Sequence, residues 1–83
     1  MSKKHSFVTK GDYCGWEVLS SGGKVYLMLG LKSVELTKNN VASFNVVVND
    51  ADEYVVAVNF LSGEKSILSL TYKMYRDLTV ALI

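Results

Sequence analysis

The only cysteine and the only histidine of the chain, Cys14 and His5, are its most obvious candidates for catalysis. A cysteine acts as a nucleophile when a base such as histidine lies within hydrogen-bond reach. His5, however, belongs to a polar, basic segment, residues 1–6, in which nothing anchors the chain to a core. We therefore interpret Cys14 as a small, half-buried apolar residue and predict no catalytic residues.

A group of carboxylates, Asp50, Asp52 and Glu53, resembles the start of a calcium-binding loop. An EF-hand loop needs a glycine at its sixth position and oxygen ligands through to its last. Counted from Asp50, the sixth residue is Val55, where the chain has already entered a β-prone run. The group is therefore interpreted as a solvated hairpin tip.

Other arrangements that carry chemistry are incomplete. One cysteine and one histidine cannot supply the ligands of a zinc site. Lys24 follows Gly22 and Gly23, but the Ser or Thr and the helix of a phosphate-binding loop do not follow it. The glutamates fall at predicted outward or turn positions, not in pairs. We predict no metal, no cofactor and no enzymatic activity.

Length and composition predict one small, ordered domain. Its 83 residues suffice for a single core, and 49% of them are hydrophobic, with no proline. Nine Lys and Arg against eight Asp and Glu leave a net charge of +1, which disfavours general nucleic-acid binding. We expect a flexible leader at residues 1–6 and a single β-rich domain at residues 7–83.

The cysteine count and the length of the apolar runs indicate the cellular compartment of the protein. Cys14 has no partner for an intramolecular disulfide, and the first residues contain no apolar core of a signal peptide. The longest apolar runs, residues 25–29 and 54–58, are much shorter than the roughly 18 residues of a membrane span. We expect a cytoplasmic protein without a membrane-spanning segment.

Alternation of apolar and polar residues predicts a meander of short strands. Turn residues such as Ser-Ser-Gly-Gly and Lys-Asn-Asn separate the runs. The most clearly defined hairpin joins residues 46–48 to 54–58 across a polar tip. The predicted strands lie in residues 7–20 (one or two strands), 24–31, 33–37, 43–49, 54–61 and 65–70.

The same alternation assigns side chains to the two faces of the sheet. In residues 24–31 the inward positions are Val25, Leu27, Leu29 and Leu31. In the last strand Leu68 faces in, whereas Ser66 and Ser69 face out. Residues 54–61 are apolar on both faces, which is typical of a central or covered strand.

After Thr71 the period changes to that of a helix. Met74, Tyr75, Leu78, Ala81 and Leu82 form one apolar stripe, and Thr71 is suited to be the N-cap. The predicted fold class is therefore α+β, mainly β. It consists of an antiparallel sheet or partial barrel of five to six strands, closed by one C-terminal amphipathic helix.

Three stretches of the chain carry a family resemblance: VELTKNNVASFNVV, VAVNFLSGEKSILSL and the closing YKMYRDLTVAL. Together they resemble the short pleckstrin-homology-like (PH-like) domains of uncharacterised proteins from Gram-positive bacteria and their phages. Such barrels normally have seven strands, a number reached here only if residues 7–20 supply two. The resemblance implies binding of lipid, peptide or protein instead of catalysis, and it names no ligand.

An apolar patch on the outer face of the sheet is the predicted interaction site. Tyr26 and Met28 lie opposite the leucine row of their strand, and Val47, Val55 and Ala57 face the same way. Exposed apolar patches mark interfaces. Trp16 is either part of the core or an exposed anchor for a partner. The other alternative for the patch is that the N-terminal segment folds over it.

These observations predict a non-enzymatic protein-interaction module. A chain this small cannot cover two apolar faces, so we expect homo-oligomerisation, binding to a larger protein, or both. A small phage-type inhibitor of a host protein fits the size. The alternative is a small-ligand or lipid-headgroup binder, in which Lys24, Lys32, Lys38 and Lys65 meet phosphate at a barrel mouth.

Overall fold

The structure, a computed structural model, describes residues 5–50 and 53–83. In this part of the chain seven strands precede one helix. The strands are β1 (Ser6–Gly11), β2 (Glu17–Ser21), β3 (Lys24–Leu29), β4 (Lys32–Leu36), β5 (Val41–Asn49), β6 (Tyr54–Phe60) and β7 (Lys65–Leu70), and the helix is α1 (Tyr72–Leu82).

All strands belong to one antiparallel sheet, in the order β4-β3-β2-β1-β7-β6-β5, which curls into a half-barrel. The connections follow the predicted meander, and the hairpin of β5 and β6 is confirmed by its pairing of Val46 with Val56. The pairing of β1 with β7 joins the two halves, with Val8 opposite Leu68. It places the first and last strands at the centre and leaves β4 and β5 as the edges.

The predicted count of five to six strands is wrong, because residues 7–20 form two strands. Between β1 and β2 the chain reverses through left-handed backbone, with φ of 86° at Gly11 and 65° at Tyr13. Glycine adopts this conformation without cost, but a tyrosine seldom does. The sequence therefore marks the turn only in part.

The core lies between the inner face of the sheet and α1. Leu78 of the helix is fully buried, and Met74, Tyr75, Ala81 and Leu82 pack against the same cluster, which confirms the predicted apolar stripe. The buried apolar side chains of the sheet are Val8, Val18, Val25, Leu27, Leu36, Val41, Val56, Val58, Phe60, Leu68 and Leu70.

The helix is fixed to the sheet at its start. Thr71 is the N-cap, as predicted, and its Oγ1 accepts a hydrogen bond of 3.1 Å from the backbone N–H of Met74. The Thr71 N–H donates in turn to Oγ of the buried Ser6 at 2.9 Å. Strand β1 thus begins at Ser6, within the segment expected to be a leader, of which residues 1–4 lie outside the described residues.

Three predicted orientations are wrong, each for a local reason. Strand β3 ends at Leu29, so Leu29 and Leu31 are exposed at the following turn instead of facing inward. A β-bulge between Val46 and Val48 inserts Val47 and turns Val48 to the outer face, opposite Val55.

The third concerns Ser66 of β7, which lies on the inner face opposite the buried Val58. Ser69 lies on the outer face, as predicted, but is buried there by its neighbours. Each hydroxyl donates a hydrogen bond, Ser66 to the carbonyl of Asp12 and Ser69 to Oε2 of Glu53. Because β7 lies at the centre of the sheet, its neighbours shield small side chains on both faces.

None of the described residues forms a helix with the length and apolar character needed to cross a bilayer.

Candidate protein-interaction surface

The outer face of the sheet is the side turned away from the core and α1. The strand register aligns its side chains into rows that cross the whole sheet. One row crosses the strands from β3 to β5 and consists of Met28, Glu17, Phe7, Ser69, Val55 and Val48. The helix cannot cover this row, because it packs on the opposite face.

On the β2–β3 side of this face, Leu19, Tyr26 and Met28 form an apolar cluster, which we call the first cluster. Leu19 and Tyr26 are directly opposite each other in the ladder. The three side chains, together with Ser20, Ser21 and Ser33, line an open hollow of about 470 Å³. An open hollow lined by Leu19, Tyr26 and Met28 suits a partner's apolar side chain.

Leu19 is the residue of this cluster that sequence reasoning misses. It is 43% exposed, whereas its neighbour Val18 is buried in the core. The strand pattern of Glu17–Ser21 is too short to fix the register of its faces. The signal is nevertheless present: once Val18 is known to face inward, alternation places Leu19 outward.

On the β5–β7 side, Val48, Val55, Ala57 and Ile67 form a second cluster. Val55 pairs with Val48, and Ala57 pairs with Ile67. Val55 and Ala57 are half-buried by their neighbours, whereas Val48 is 47% exposed. The bulge residue Val47 lies beside this cluster and is 57% exposed.

The two clusters do not form the single patch that the sequence predicts. The first cluster extends to Leu19 on β2 and the second to Ile67 on β7, and strand β1 lies between them. Phe7, Glu17 and Ser69 occupy the space between them. Residues 6–21 do not fold over the patch, because they supply β1 and β2 of the sheet itself.

Trp16 belongs to neither cluster. It is half-buried against the core, and its ring meets that of Tyr13 edge to face, with centroids 5.0 Å apart. Tyr13 lies in turn 5.4 Å from the ring of Phe60. Trp16 is therefore a part of the aromatic packing beside the β1–β2 turn and not an exposed anchor.

Polar contacts tie this aromatic group to the β6–β7 turn. The Tyr13 hydroxyl donates a hydrogen bond to Glu64, and Oδ2 of Asp12 accepts one from the backbone N–H of Lys65 at 3.1 Å. Burial and the Glu64 carboxylate raise the pKa of Tyr13 above its ordinary value of 10.0. The fold thus favours the protonated phenol. Its hydrogen bond to Glu64 holds the β1–β2 turn against the β6–β7 turn.

The structure does not bring the Cys–His pair together. The ring of His5 lies against Phe7 at the start of β1, with centroids 5.6 Å apart. Cys14 is exposed, not half-buried, in the turn beyond the other end of β1, and its thiol contacts the carbonyl of Thr9 at 3.3 Å. Thr9 is four residues along the strand from His5, which separates the pair by roughly 13 Å.

The four lysines of the ligand-binding alternative are also dispersed. Lys24 begins β3, whereas Lys32 begins β4 and pairs with Leu29, so the two lysines lie beside opposite ends of β3. Lys38 lines a separate open hollow with Val41, Phe44 and Leu82. The set does not line a single concavity.

The predicted hairpin tip falls partly outside the described residues, which include Asp50 and Glu53 but not Asp52. Within residues 5–50 and 53–83, no three His, Cys, Asp or Glu side chains come together as metal ligands. Compared with protein families, with curated proteins and with solved structures, the chain matches none of them.

Proposed function

We propose that the chain is a non-enzymatic protein-interaction module whose contact surface is the outer face of the sheet. The observation that carries this proposal is the exposure of Leu19, Val47 and Val48 on strands whose other face packs against the core. A protein surface with two apolar clusters and a central phenylalanine gains stability when a partner removes it from water.

The shape of the two clusters favours a protein partner over a small molecule. The two hollows described above are open to solvent instead of enclosing a ligand. Small-molecule sites bury most of their ligand's surface. A broad apolar face divided by Glu17 suits a partner that touches both clusters at once.

The fold is part of the proposal. Seven antiparallel strands followed by one C-terminal helix agree with the number expected of a PH-like domain, since residues 7–20 supply two strands. This supports the assignment of the chain to the PH-like folds, which serve as binding modules. A cytoplasmic location also belongs to the proposal, because an exposed free thiol suits a reducing compartment.

Binding of a lipid headgroup or another phosphate ligand is the less well supported alternative. Phosphate recognition by lysines needs several of them around one site. Lys24 and Lys32 lie beside opposite ends of β3 and cannot share a ligand.

Site-specific photocrosslinking in the native cell tests the proposal. A photoreactive residue replaces Leu19 or Val48 on the outer face, and the matched control replaces Lys73, which is exposed on the helix. We expect both outer-face positions, and not the control, to give discrete protein adducts. Equal labelling from all three positions, or outer-face adducts of lipid or small molecules alone, would overturn the proposal.

A further inference from the structure

Strand β5 is an open edge of the half-barrel. Its only neighbour in the described sheet is β6. In an antiparallel strand, alternate residues direct their backbone N–H and C=O groups to opposite sides, so half of those of β5 point away from β6. A row of such groups is matched by another extended backbone.

The two edges of the sheet differ in charge. Edge strand β4 contains Lys32 and Glu35, whereas none of the nine residues of β5 is charged. Charged side chains on an edge oppose pairing with another strand. Strand β5 lacks this protection and is rich in valine, a residue that favours strands.

Two irregularities limit the part of β5 that can accept a further strand. The register with β6 shifts between Val41 and Ser43 and again between Val46 and Val48. Between these shifts, residues 43–46 pair regularly with β6. A partner strand therefore finds a straight backbone at residues 43–46 and bends away at both ends.

We propose that residues 44–46 of β5, within this regular stretch, pair antiparallel with the same residues of a second copy of the chain, joining two half-barrels into one continuous sheet. This inference rests on the proposed function and names its partner. A twofold axis perpendicular to the sheet keeps inner faces on the same side. With the axis at Asn45, each Phe44 lies opposite Val46 of the other copy and the two Asn45 side chains meet.

The side chains favour a second copy as the occupant. Phe44 and Val46 are half-buried on the inner face, so the register at Asn45 sets apolar opposite apolar. The exposed Asn45 pairs with its own copy, and amides can hydrogen-bond with one another. No charge on β5 is present to repel an identical strand or to select a charged foreign peptide.

Sedimentation velocity over a wide concentration range tests the pairing. Asn45→Lys places two like charges at the axis, and Val80→Lys, at an exposed position of the helix, is the matched control. We expect a concentration-dependent dimer that Asn45→Lys weakens about tenfold or more and that the control leaves within about twofold. Val47→Lys, at the exposed bulge residue, provides a second variant in case the first unfolds.

Amide hydrogen exchange identifies the surface involved. Protection at residues 44–46 should rise with protein concentration, while protection in β4 should not change. A monomer at all concentrations overturns the inference. So does a dimer that survives the β5 variants but is lost on Leu19→Asp, although that result supports the proposed function. Protection of β5 only by a different protein also overturns it.

Discussion

The hydroxyl of Tyr13 donates a hydrogen bond of 2.9 Å to Oε1 of Glu64, and this contact joins the β1–β2 turn to the β6–β7 turn. Tyr13 holds left-handed backbone, with φ of 65°, in order to make it. Residues in this conformation persist where surrounding contacts fix them. Here the contacts are the carboxylate at one end of the ring and Trp16 and Phe60 along its sides.

Stability should depend on the ionisation of Tyr13. Its pKa is raised in the fold, first by burial and then by Glu64, so its contribution is complete below pH 10 and is lost as the pH rises through the folded pKa. We expect Tyr13→Phe to lower the free energy of unfolding by about 1 kcal/mol at neutral pH. Urea unfolding should show this difference shrinking above pH 10.

The matched control is Tyr72→Phe, at an exposed tyrosine of the helix. Its free energy of unfolding should stay within about 0.5 kcal/mol of that of the wild type at neutral pH. A Tyr13→Phe difference that stays constant up to strongly alkaline pH would show that the phenol is not stabilised by the fold.

Gly11→Ala should be among the most destabilising small substitutions in the chain. Gly11 has φ of 86°, and a Cβ there would collide with the backbone carbonyl of Lys65. Gly30 also has positive φ, but a Cβ there meets open space. From thermal unfolding, we expect Gly30→Ala to lower the free energy of unfolding by about 1 kcal/mol. Gly11→Ala should lower it by at least twice as much. Equal losses would mean that the two turns do not approach each other so closely.

Thr71→Ala should destabilise the junction of sheet and helix. The substitution removes the acceptor for the Met74 N–H, a loss of about 1 kcal/mol for an N-cap. Thr79→Ala is the control, because Thr79 lies within the helix and is half-buried, and its hydroxyl bonds only to the carbonyl of Arg76. Chemical denaturation should give Thr71→Ala a clearly lower free energy of unfolding than Thr79→Ala. The reverse order would contradict the capping role of Thr71.

Leu78→Ala should destabilise the fold by about 2–5 kcal/mol, because it leaves a cavity between α1 and the sheet. Leu78 is fully buried, whereas Val80 on the same helix is 67% exposed. Val80→Ala should therefore change the free energy of unfolding by no more than about 0.5 kcal/mol. Calorimetry of the two variants measures both free energies of unfolding. It thereby compares the removal of an apolar side chain at a core position with its removal at a surface position.

Local patterns in the sequence predict most of the individual elements. Alternation identifies β7 at residues 65–70, and the change of period after Thr71 identifies α1 with its N-cap. These signals succeed because neighbouring residues determine them. The same alternation fails at Val48, because an inserted bulge residue reverses the faces without any distinctive residue type.

The candidate site could be predicted only in part, because it depends on contacts between distant residues. The sequence correctly places Tyr26 and Met28 on one face and Val55 and Ala57 on the same face. It contains no signal that β1 pairs with β7, and this pairing is what separates the two clusters. Trp16 lies away from both for a similar reason, since its environment is set by Tyr13 and, beyond it, Phe60.

The central position of β1 has a consequence for how the molecule is made. Along the chain, this strand is synthesised well before its partner β7. Until β7 emerges from the ribosome, the nascent half-barrel has two additional open edges, and the loop that must close contains β2 to β6. Folding is therefore expected to be slow for a sheet of this size and to complete only once β7 has emerged.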